Sequence, residues 1–395
     1  MLSTAGRNAQ SEAESEVVMV EFTEEQSLVL ETAREFNEKA SAPFIEEMDR
    51  ENRFPEGLPA KLAASGLLGL KIPEEYGGGG IDALGAVLAI EELARCSPAI
   101  ADLLCSMHAS TGAILSFGSE ELKRKYLPPV AEGKLIPAYA LTEADAGSDL
   151  AGVRTRAVKD GERYLLSGSK TYITLGAVAD YAVVLAVTDP EAEKKHRGMS
   201  LFVADEQLTL GKSEDLLGLR GLAVAEINFA DSPVPAENLI GEENRGFVQI
   251  MKSLDGGRIE IAALAVGLAQ GALEEAVRYA KERVQFGRAI AEFQAIQFSV
   301  ADMQTKIDAA RLLTYHAARL RDAGEPHSRE ASEAKVFASE IAMECASDSL
   351  QIHGGYGYSK EYKIERLFRD AKINQIFEGT NQIQRIVIAR NLFGR

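Results

Sequence analysis

Two helical regions on either side of one β-rich stretch limit the folds open to this chain more than any other feature. Apolar residues recur with helical spacing over 21–135 and again over 241–395. Between them, over 136–240, short β-rich runs and a hairpin turn at Asp160 and Gly161 replace the helical pattern. The sequence therefore predicts a mainly α fold with a central β domain, in three parts with those boundaries.

The composition excludes several classes of function. The chain has 395 residues, 46% of them hydrophobic, and a net charge of −17, which argues against a nucleic-acid surface. Its three widely spaced cysteines suggest neither a disulfide framework nor a zinc site, and they fit a reducing, cytoplasmic compartment. No apolar run is expected to span a membrane, the best candidate being 261–273. Residues 1–20 are polar and acidic, unlike an import peptide, and are predicted to be a disordered tail.

A glutamate on a predicted turn is the main candidate for chemistry. Glu378 follows an apolar segment containing Ile376 and Phe377 and precedes a helix that Thr380 or Asn381 can cap. Apolar walls reduce the solvation of a carboxylate and raise its pKa, so that it can act as a general base near neutral pH. The alternative for a Glu-Gly pair is a solvated helix end.

The segment from Arg369 to Arg385 resembles the C-terminal signature of the acyl-CoA dehydrogenases. With the three-part order, that resemblance covers about 22–395. It implies the fold of that family, with a helical N-terminal domain, a β-barrel-like middle domain and a C-terminal four-helix bundle. It also implies that Glu378 takes the α-proton of an acyl-CoA while the β-hydride passes to N5 of FAD. The product would be a trans-2-enoyl-CoA, formed in fatty-acid or amino-acid catabolism such as β-oxidation, and the electrons would pass to an electron-transferring flavoprotein.

Three further segments resemble the flavin-binding motifs of the family. They run from Tyr139 to Ser148, from Gly168 to Thr174, and from Arg283 onward to the glycines at 354–355. The residues for which the resemblance implies FAD contacts are Tyr139, Leu141, Thr142, Gly147, Ser148, Tyr172, Ile173, Thr174, Arg283, Phe286, Gln294, Gln351, Gly354, Gly355, Thr380 and Gln382. A turn between elements and a buried strand are the alternatives for the first two segments.

Residue chemistry agrees with several of these roles. Backbone N–H groups near Leu141 and Thr142 suit the negative charge of a reduced flavin, and the guanidinium of Arg283 suits a phosphate. The resemblance makes Thr174 the hydrogen-bond partner of flavin N5, while Tyr172 replaces a tryptophan common in the family. Because the Arg283 and Gln351 segments reach the FAD of a neighbouring subunit in that family, a homo-oligomer is expected, with a tetramer favoured over a dimer.

The substrate side is predicted from the same resemblance. Ser148, Asp255, Arg258 and Gly379 are expected to contact the acyl-CoA, with Asp255 to Arg258 opening the first helix of the C-terminal domain. Family members that relocate the catalytic carboxylate place it near Gly257, which has no side chain here, so Glu378 is favoured. Arg258 either organises Glu378 or pairs with an acidic residue at the start of the helix.

Two features bear on the choice of substrate. The basic loop Lys194–Arg197 either binds CoA or is solvated. Asp102 lies in the segment that lines the acyl end in relatives, and it either faces solvent or adds a second carboxylate for a cyclic acyl group. No arginine occurs between Ser97 and Ala109, which disfavours glutaryl-CoA as the substrate.

Two other functions compete with the dehydrogenase. An acyl-CoA oxidase would reduce O₂, but oxidases of this fold usually carry a further helical region, and the chain ends at Arg395. A non-enzymatic scaffold would show loss of residues such as Glu378, Thr174 or Arg283, and all of them are present.

Overall fold

The computed structural model describes residues 21–205 and 208–394, so the predicted disordered tail at 1–20 lies outside the described residues. The first part of the fold consists of helices: α1 (Glu24–Lys39), α2 (Ser41–Glu51), α3 (Gly57–Ala64), α4 (Ala83–Cys96), α5 (Pro98–Phe117) and α6 (Glu120–Ala131). The Thr23 side chain accepts from the backbone of Gln26, and the Gln26 side chain accepts from the backbone of Thr23. This capping box satisfies backbone groups at the start of the first helix.

The middle part is a single mixed sheet. Its strands are β1 (Pro137–Ala140), β2 (Arg156–Asp160), β3 (Arg163–Ile173), β4 (Tyr181–Val187), β5 (Met199–Ala204), β6 (Thr209–Ser213), β7 (Ala225–Pro235) and β8 (Leu239–Ile240). They pair in the order β6-β7-β3-β2-β4-β5-β8, with β1 joined to β4 in parallel. The predicted hairpin at Asp160 and Gly161 connects β2 to β3, and Gly161 supplies the positive φ of 65° that the turn needs.

The last part is helical again. Its elements are α7 (Gly246–Glu282), the short strands β9 (Val284–Gln285) and β10 (Arg288–Ala289), and the helices α8 (Gln294–Asp322), α9 (Ser328–His353), α10 (Lys363–Ala371) and α11 (Asn381–Leu392). Helices α7, α8 and α9 pack on one another, and α11 packs on α9. The three-part fold predicted from the sequence is thereby confirmed.

Helix α7 is the centre of the molecule because it also packs on α4 and α5 of the first part. Small residues make this packing possible. A Cβ atom at Gly267 would lie 2.0 Å from the carbonyl oxygen of Glu91 in α4, so only glycine allows the two backbones to approach this closely. The part of α7 at 254–260 therefore extends from the packed core to the wall of a cavity.

Two expectations about helices were wrong. Helix α7 begins at Gly246, so Asp255 and Arg258 lie well inside it and do not open it. The candidate for a membrane span was also misplaced. By length and composition, α5 is the one helix in the described parts of the chain that could cross a bilayer, and 67% of its most apolar window is buried inside the fold.

Candidate active site

The turn between α10 and α11 holds Glu378 in an unusual backbone conformation. Glu378 has a φ of 52° and Gly379 a φ of 88°, so two consecutive residues are left-handed. For a residue with a side chain, that conformation costs about 1–2 kcal/mol. The hydroxyl of Thr380 accepts from the backbone N–H of Ile383 at 3.4 Å and starts α11, as the sequence predicts.

Two buried side chains hold this turn in place. The ammonium of Lys335, on α9, donates to the carbonyl of Gly379 at 2.8 Å and to Oδ1 of Asn381 at 3.0 Å. Nε2 of Gln384 donates to the carbonyls of Glu378 at 3.0 Å and Gly379 at 2.9 Å. The turn therefore has a fixed shape before any ligand arrives. Sequence reasoning missed both residues, although a lysine among the small residues of the packing face of α9 was a signal of burial.

The carboxyl group of Glu378 has little solvation. Its Oε2 is buried and has no hydrogen-bond partner in the described part of the chain. Burial raises the pKa of Glu378 to about 7; the Arg258 and Lys335 charges lower it and the Glu260 charge raises it. At neutral pH the carboxylate is therefore partly ionised and well suited to accept a proton.

Glu378 opens into a cavity of about 100 Å³ between α5, α7 and the end of β1. A Cβ atom at Gly257 would lie 2.9 Å from Oε2 of Glu378, so a side chain there would collide with the carboxylate. Other residues that line the cavity are Tyr139, Lys252, Glu260 and Arg321. No arginine occurs between 97 and 109, but Arg321 on α8 still provides this cavity with a guanidinium.

Arg258 combines the two roles that the sequence left open. Its guanidinium donates to Oδ1 of Asp255 at 2.6 Å, and Ser328 donates to the same oxygen at 3.0 Å. Arg258 is buried, and its positive charge acts on Glu378. It is thus paired along α7 and also contributes to the ionisation of Glu378.

Asp102 does not face solvent, contrary to one of the two expectations for it. Its side chain is buried inside the fold, and the residue is 3% exposed. Burial and the neighbouring Glu378 charge raise the pKa of Asp102 to about 7. A second carboxyl group therefore lies close to Glu378.

The first candidate flavin segment is fixed to the sheet by a buried lysine. Lys170, on β3, donates to the carbonyl of Leu141 at 2.9 Å and to Oε1 of Glu143 at 2.8 Å. The backbone N–H of Thr171 donates to the carbonyl of Thr142 at 3.0 Å. Sequence reasoning missed Lys170, which is fully buried and holds the segment against β3, the strand that contains Tyr172.

The residues at the end of β3 face different ways. Tyr172 has a φ of 55° and is 61% exposed, so its ring is open to a ligand. Thr174 is half-buried, whereas Ile173 is buried in the core of the sheet and can offer only its backbone. Gly147 and Ser148 are exposed, with nothing within 4 Å of a Cβ atom at Gly147.

The remaining candidate flavin residues lie on the helical part. The guanidinium of Arg283 lies 5.3 Å from the centre of the Tyr356 ring, which brings the end of α7 next to the segment that contains Gln351. Gly354 and Gly355 have nothing within 4 Å of a Cβ atom. Gln294, Gln351 and Gln382 are exposed, and Phe286 is 94% exposed.

Comparison with known proteins decides the family. Models of the N-terminal, middle and C-terminal domains of acyl-CoA dehydrogenase match residues 23–134, 138–232 and 244–393. The chain belongs to the acyl-CoA dehydrogenase family. It is therefore an oxidoreductase of a family that binds FAD.

Similar proteins match this chain over almost its whole length. An acyl-CoA dehydrogenase of Bacillus subtilis is 48% identical over 377 residues, 94% of this chain and 99% of that one. The caffeyl-CoA reductase-Etf complex subunit CarC of Acetobacterium woodii is 46% identical over 373 residues, 93% of this chain and 98% of its own. The structure of butyryl-CoA dehydrogenase from Megasphaera elsdenii superposes with a TM-score of 0.91 at 42% identity, covering 95% of this chain and 99% of that one.

The residues present fit FAD. Exposed Tyr172 offers a stacking surface, open backbone at Gly147, Gly354 and Gly355 leaves room for close approach, and Arg283 offers a cation to a pyrophosphate. Bound FAD supplies the hydride acceptor that oxidation of a carbon–carbon single bond requires. The chain itself supplies the buried carboxyl group of Glu378 and the cavity beside it.

Replacing Lys335 with Met tests how the turn that carries Glu378 is supported. We expect kcat/KM to fall about tenfold because the turn loosens. We also expect the acid limb of the kcat–pH profile to move to higher pH, because the Lys335 charge lowers the pKa of Glu378. Anaerobic turnover across pH 5–9 measures both effects. Lys61→Met, an exposed lysine on α3, is the control, and an acid limb that stays in place in Lys335→Met would contradict this electrostatic role.

The raised pKa of Glu378 predicts a pH-dependent effect on stability. Since the folded state binds this proton more tightly than the unfolded chain, the stabilisation is complete below about pH 4.5 and is lost as pH rises through about 7. Glu378→Gln should therefore be more stable than the natural protein at pH 8, by at most about 3 kcal/mol, and the difference should shrink at pH 4.5. Urea unfolding at both pH values measures it. Glu378→Asp keeps the carboxyl group and should keep the pH dependence; a constant gain for Glu378→Gln would refute the pKa assignment.

Proposed function

We propose that this acyl-CoA dehydrogenase converts an acyl-CoA thioester to the trans-2-enoyl-CoA, with Glu378 taking the α-proton and N5 of FAD receiving the β-hydride. One observation carries the proposal. The buried, unpartnered Oε2 of Glu378 faces a cavity next to the glycine at 257, with a pKa raised to about 7. A carboxylate kept from water and without a partner is a strong base for a weak carbon acid.

The same turn supplies a donor for the thioester. The backbone N–H of Glu378 donates no hydrogen bond within the described residues. We place the thioester carbonyl oxygen against this N–H, together with the ribityl 2′-hydroxyl of FAD that the family resemblance implies. Polarising the carbonyl makes the α-C–H more acidic, and the proton then passes to the carboxylate. Lys335 and Gln384 keep donor and base in register because they bind the carbonyls of the turn.

Cations beside the cavity suit the anionic part of CoA. Arg321 has no ion-pair partner in the described chain and crosses Gly256 so closely that a Cβ there would lie 1.8 Å from its guanidinium. Lys252, on α7, lines the same cavity and is exposed. The Lys194–Arg197 loop lies near the start of α7, where the His196 ring is 5.3 Å from Phe247. These residues support a CoA path along α7.

We propose an electron-transferring flavoprotein as the acceptor. The similar Acetobacterium woodii protein is named as a subunit of a caffeyl-CoA reductase-Etf complex, which supports such a partner here. Its name also describes reduction, so the acceptor and its potential would set the direction of the reaction. The competing oxidase would instead transfer electrons to O₂ at a comparable rate.

A homo-oligomer, with a tetramer favoured over a dimer, completes the proposal. Phe286 and Phe298 are 94% and 63% exposed at the end of the C-terminal helices, next to the exposed Gln294. Large apolar side chains this exposed are typical of a surface that another subunit covers. A cytoplasmic location agrees with the three free cysteines.

Anaerobic titration of the purified flavoprotein tests the reaction. Straight, branched, cyclic and dicarboxylic acyl-CoAs are added while the visible flavin band is recorded. We expect one class to bleach the flavin and Glu378→Gln to lower the bleaching rate by about 10³-fold or more, because its amide cannot take the proton. Glu378→Asp, a shorter base, should retain part of the rate. A yellow protein that no acyl-CoA bleaches, or one bleached equally in Glu378→Gln, would contradict the proposed function.

Asp102 favours a second candidate within the same reaction class. A buried carboxyl group near Glu378 is costly beside a plain alkyl chain, and it suits a cyclic acyl group or an elimination further along the chain. Asp102→Asn keeps the size of the side chain. If the substrate is cyclic, this variant should lose at least about tenfold in kcat/KM for the cyclic acyl-CoA and little for butyryl-CoA. Equal kcat/KM ratios in the variant and the natural protein would remove this candidate.

A further inference from the structure

A buried cluster of three titratable residues adjoins the cavity of Glu378, and none of them transfers a proton or a hydride in the proposed reaction. Lys71 precedes α4, His108 lies on α5 and Glu260 lies on α7. The Lys71 ammonium donates to Oε1 of Glu260, and Nδ1 of His108 lies 3.1 Å from Oε2 of the same carboxylate. Their side chains are 19%, 3% and 5% exposed.

The cluster lines the same cavity as Glu378. Glu260 lies one helical turn beyond Gly257, the residue in contact with Oε2 of Glu378. Burying apolar residues in these positions would cost less desolvation free energy than burying an ion pair with an imidazole. A polar cluster maintained at a reaction cavity points to a ligand group that it recognises.

The charges determine which nitrogen of His108 carries its proton. Burial raises the pKa of Glu260, but the Lys71 charge and His108 lower it by more. The net pKa of Glu260 is about 2, so this carboxylate is ionised. Burial lowers the pKa of His108. The Glu260 carboxylate raises this pKa, but the Lys71 and Arg321 charges lower it as well. The pKa of His108 therefore stays below its usual value, and the imidazole is neutral at physiological pH. A neutral imidazole beside a carboxylate places its proton on Nδ1, where it can donate.

The other ring nitrogen therefore has a free lone pair. Nε2 of His108 is buried and has no hydrogen-bond partner within the described residues. Such an atom costs free energy unless a ligand or a water satisfies it. Its position on a wall of the cavity leaves a bound substrate as the natural donor.

We propose that Nε2 of His108 accepts a hydrogen bond from an N–H or O–H group of the acyl-CoA, with Glu260 and Lys71 holding the imidazole in the accepting tautomer. The proposal rests on the acyl-CoA dehydrogenase function given above. Two parts of the substrate have this chemistry: an amide of the pantetheine arm, present in every CoA thioester, and a hydroxyl on the acyl group. His108 thus determines specificity, whereas Glu260 and Lys71 are positioning residues.

Two substitutions of His108 separate its two nitrogens. Asn places an amide near the position of Nδ1 and can keep the bond to Glu260, but it leaves nothing at the position of Nε2. Gln reaches the position of Nε2 and can present its carbonyl oxygen there. We expect His108→Asn to lose about tenfold in kcat/KM and His108→Gln to recover part of it. His316→Asn, an exposed histidine on α8, is the matched control.

Three thioesters identify the source of the donor: butyryl-CoA, 4-hydroxybutyryl-CoA and an S-alkyl thiobutyrate that has no amide. An equal loss for both CoA thioesters in His108→Asn, with none for the S-alkyl thioester, assigns the bond to pantetheine. A loss confined to 4-hydroxybutyryl-CoA assigns it to the acyl group. Unchanged kcat/KM for all three in a variant that retains its flavin and its melting temperature would overturn the proposal.

Lys71→Met should change how substrate affinity depends on pH, which a purely structural role of Lys71 would not do. Because the Lys71 charge lowers the pKa of His108, its removal lets the imidazole gain a second proton as pH falls, and Nε2 then donates instead of accepting. If the pantetheine amide is the donor, the variant should lose affinity for crotonyl-CoA at pH 6 and recover it at pH 8, measured from the flavin spectrum. If the acyl hydroxyl is the donor, 4-hydroxybutyryl-CoA should show that pH dependence and crotonyl-CoA should not. A loss that is the same at both pH values would contradict the proposed tautomer. If no acyl-CoA bleached the natural flavoprotein, the proposed function would fail before this question arose.

Discussion

The hydrogen bond from the Lys335 ammonium to the carbonyl of Gly379 is the interaction on which the site depends most. It joins α9, in the core of the helical part, to a turn of two left-handed residues, of which Glu378 carries a side chain that disfavours this conformation. The same ammonium lies close enough to Glu378 to act on its ionisation. Lys335 thus helps Gln384 to position the proposed base and, when charged, lowers the pKa of Glu378 that burial raises. A turn held only by solvent contacts would neither fix the position of Glu378 nor lower its pKa.

Helix α7 places the groups on the opposite wall. Successive turns bring Leu254, Gly257 and Glu260 to the cavity. Arg258 instead donates to Asp255, which also accepts from Ser328. Glycine at 267 lets α4 pack closely against this helix and support the wall of the cavity. The carboxylate of Glu378 needs a neighbour without a side chain, and the packed helix places Gly257 there. Packing in the core therefore determines the room available for the chemistry.

Local patterns were enough to predict the elements, but not which polar residues they bury. The three-part order and the cap at Thr380 depend on neighbours within a few residues, so the sequence reveals them. Lys170 and Lys335 are buried by partners 27 and 44 residues away, and a charged side chain read alone suggests a surface. Asp102 was open to two interpretations for the same reason. The cluster of Lys71, His108 and Glu260 could not be foreseen because three separate segments meet there.

Exchange of the α-proton tests the central claim, that Glu378 is the base, without requiring oxidation. In 3,3-dimethylbutyryl-CoA the β-carbon carries no hydrogen, so hydride transfer is impossible while the α-C–H bonds remain. The flavin-loaded protein in D₂O should exchange these protons for deuterium, faster as pH rises through about 7, as mass spectrometry of the recovered thioester would show. Glu378→Gln should show no exchange above the rate in buffer alone. Exchange that persists in Glu378→Gln would mean that another group takes the proton, and the account of this turn would be wrong.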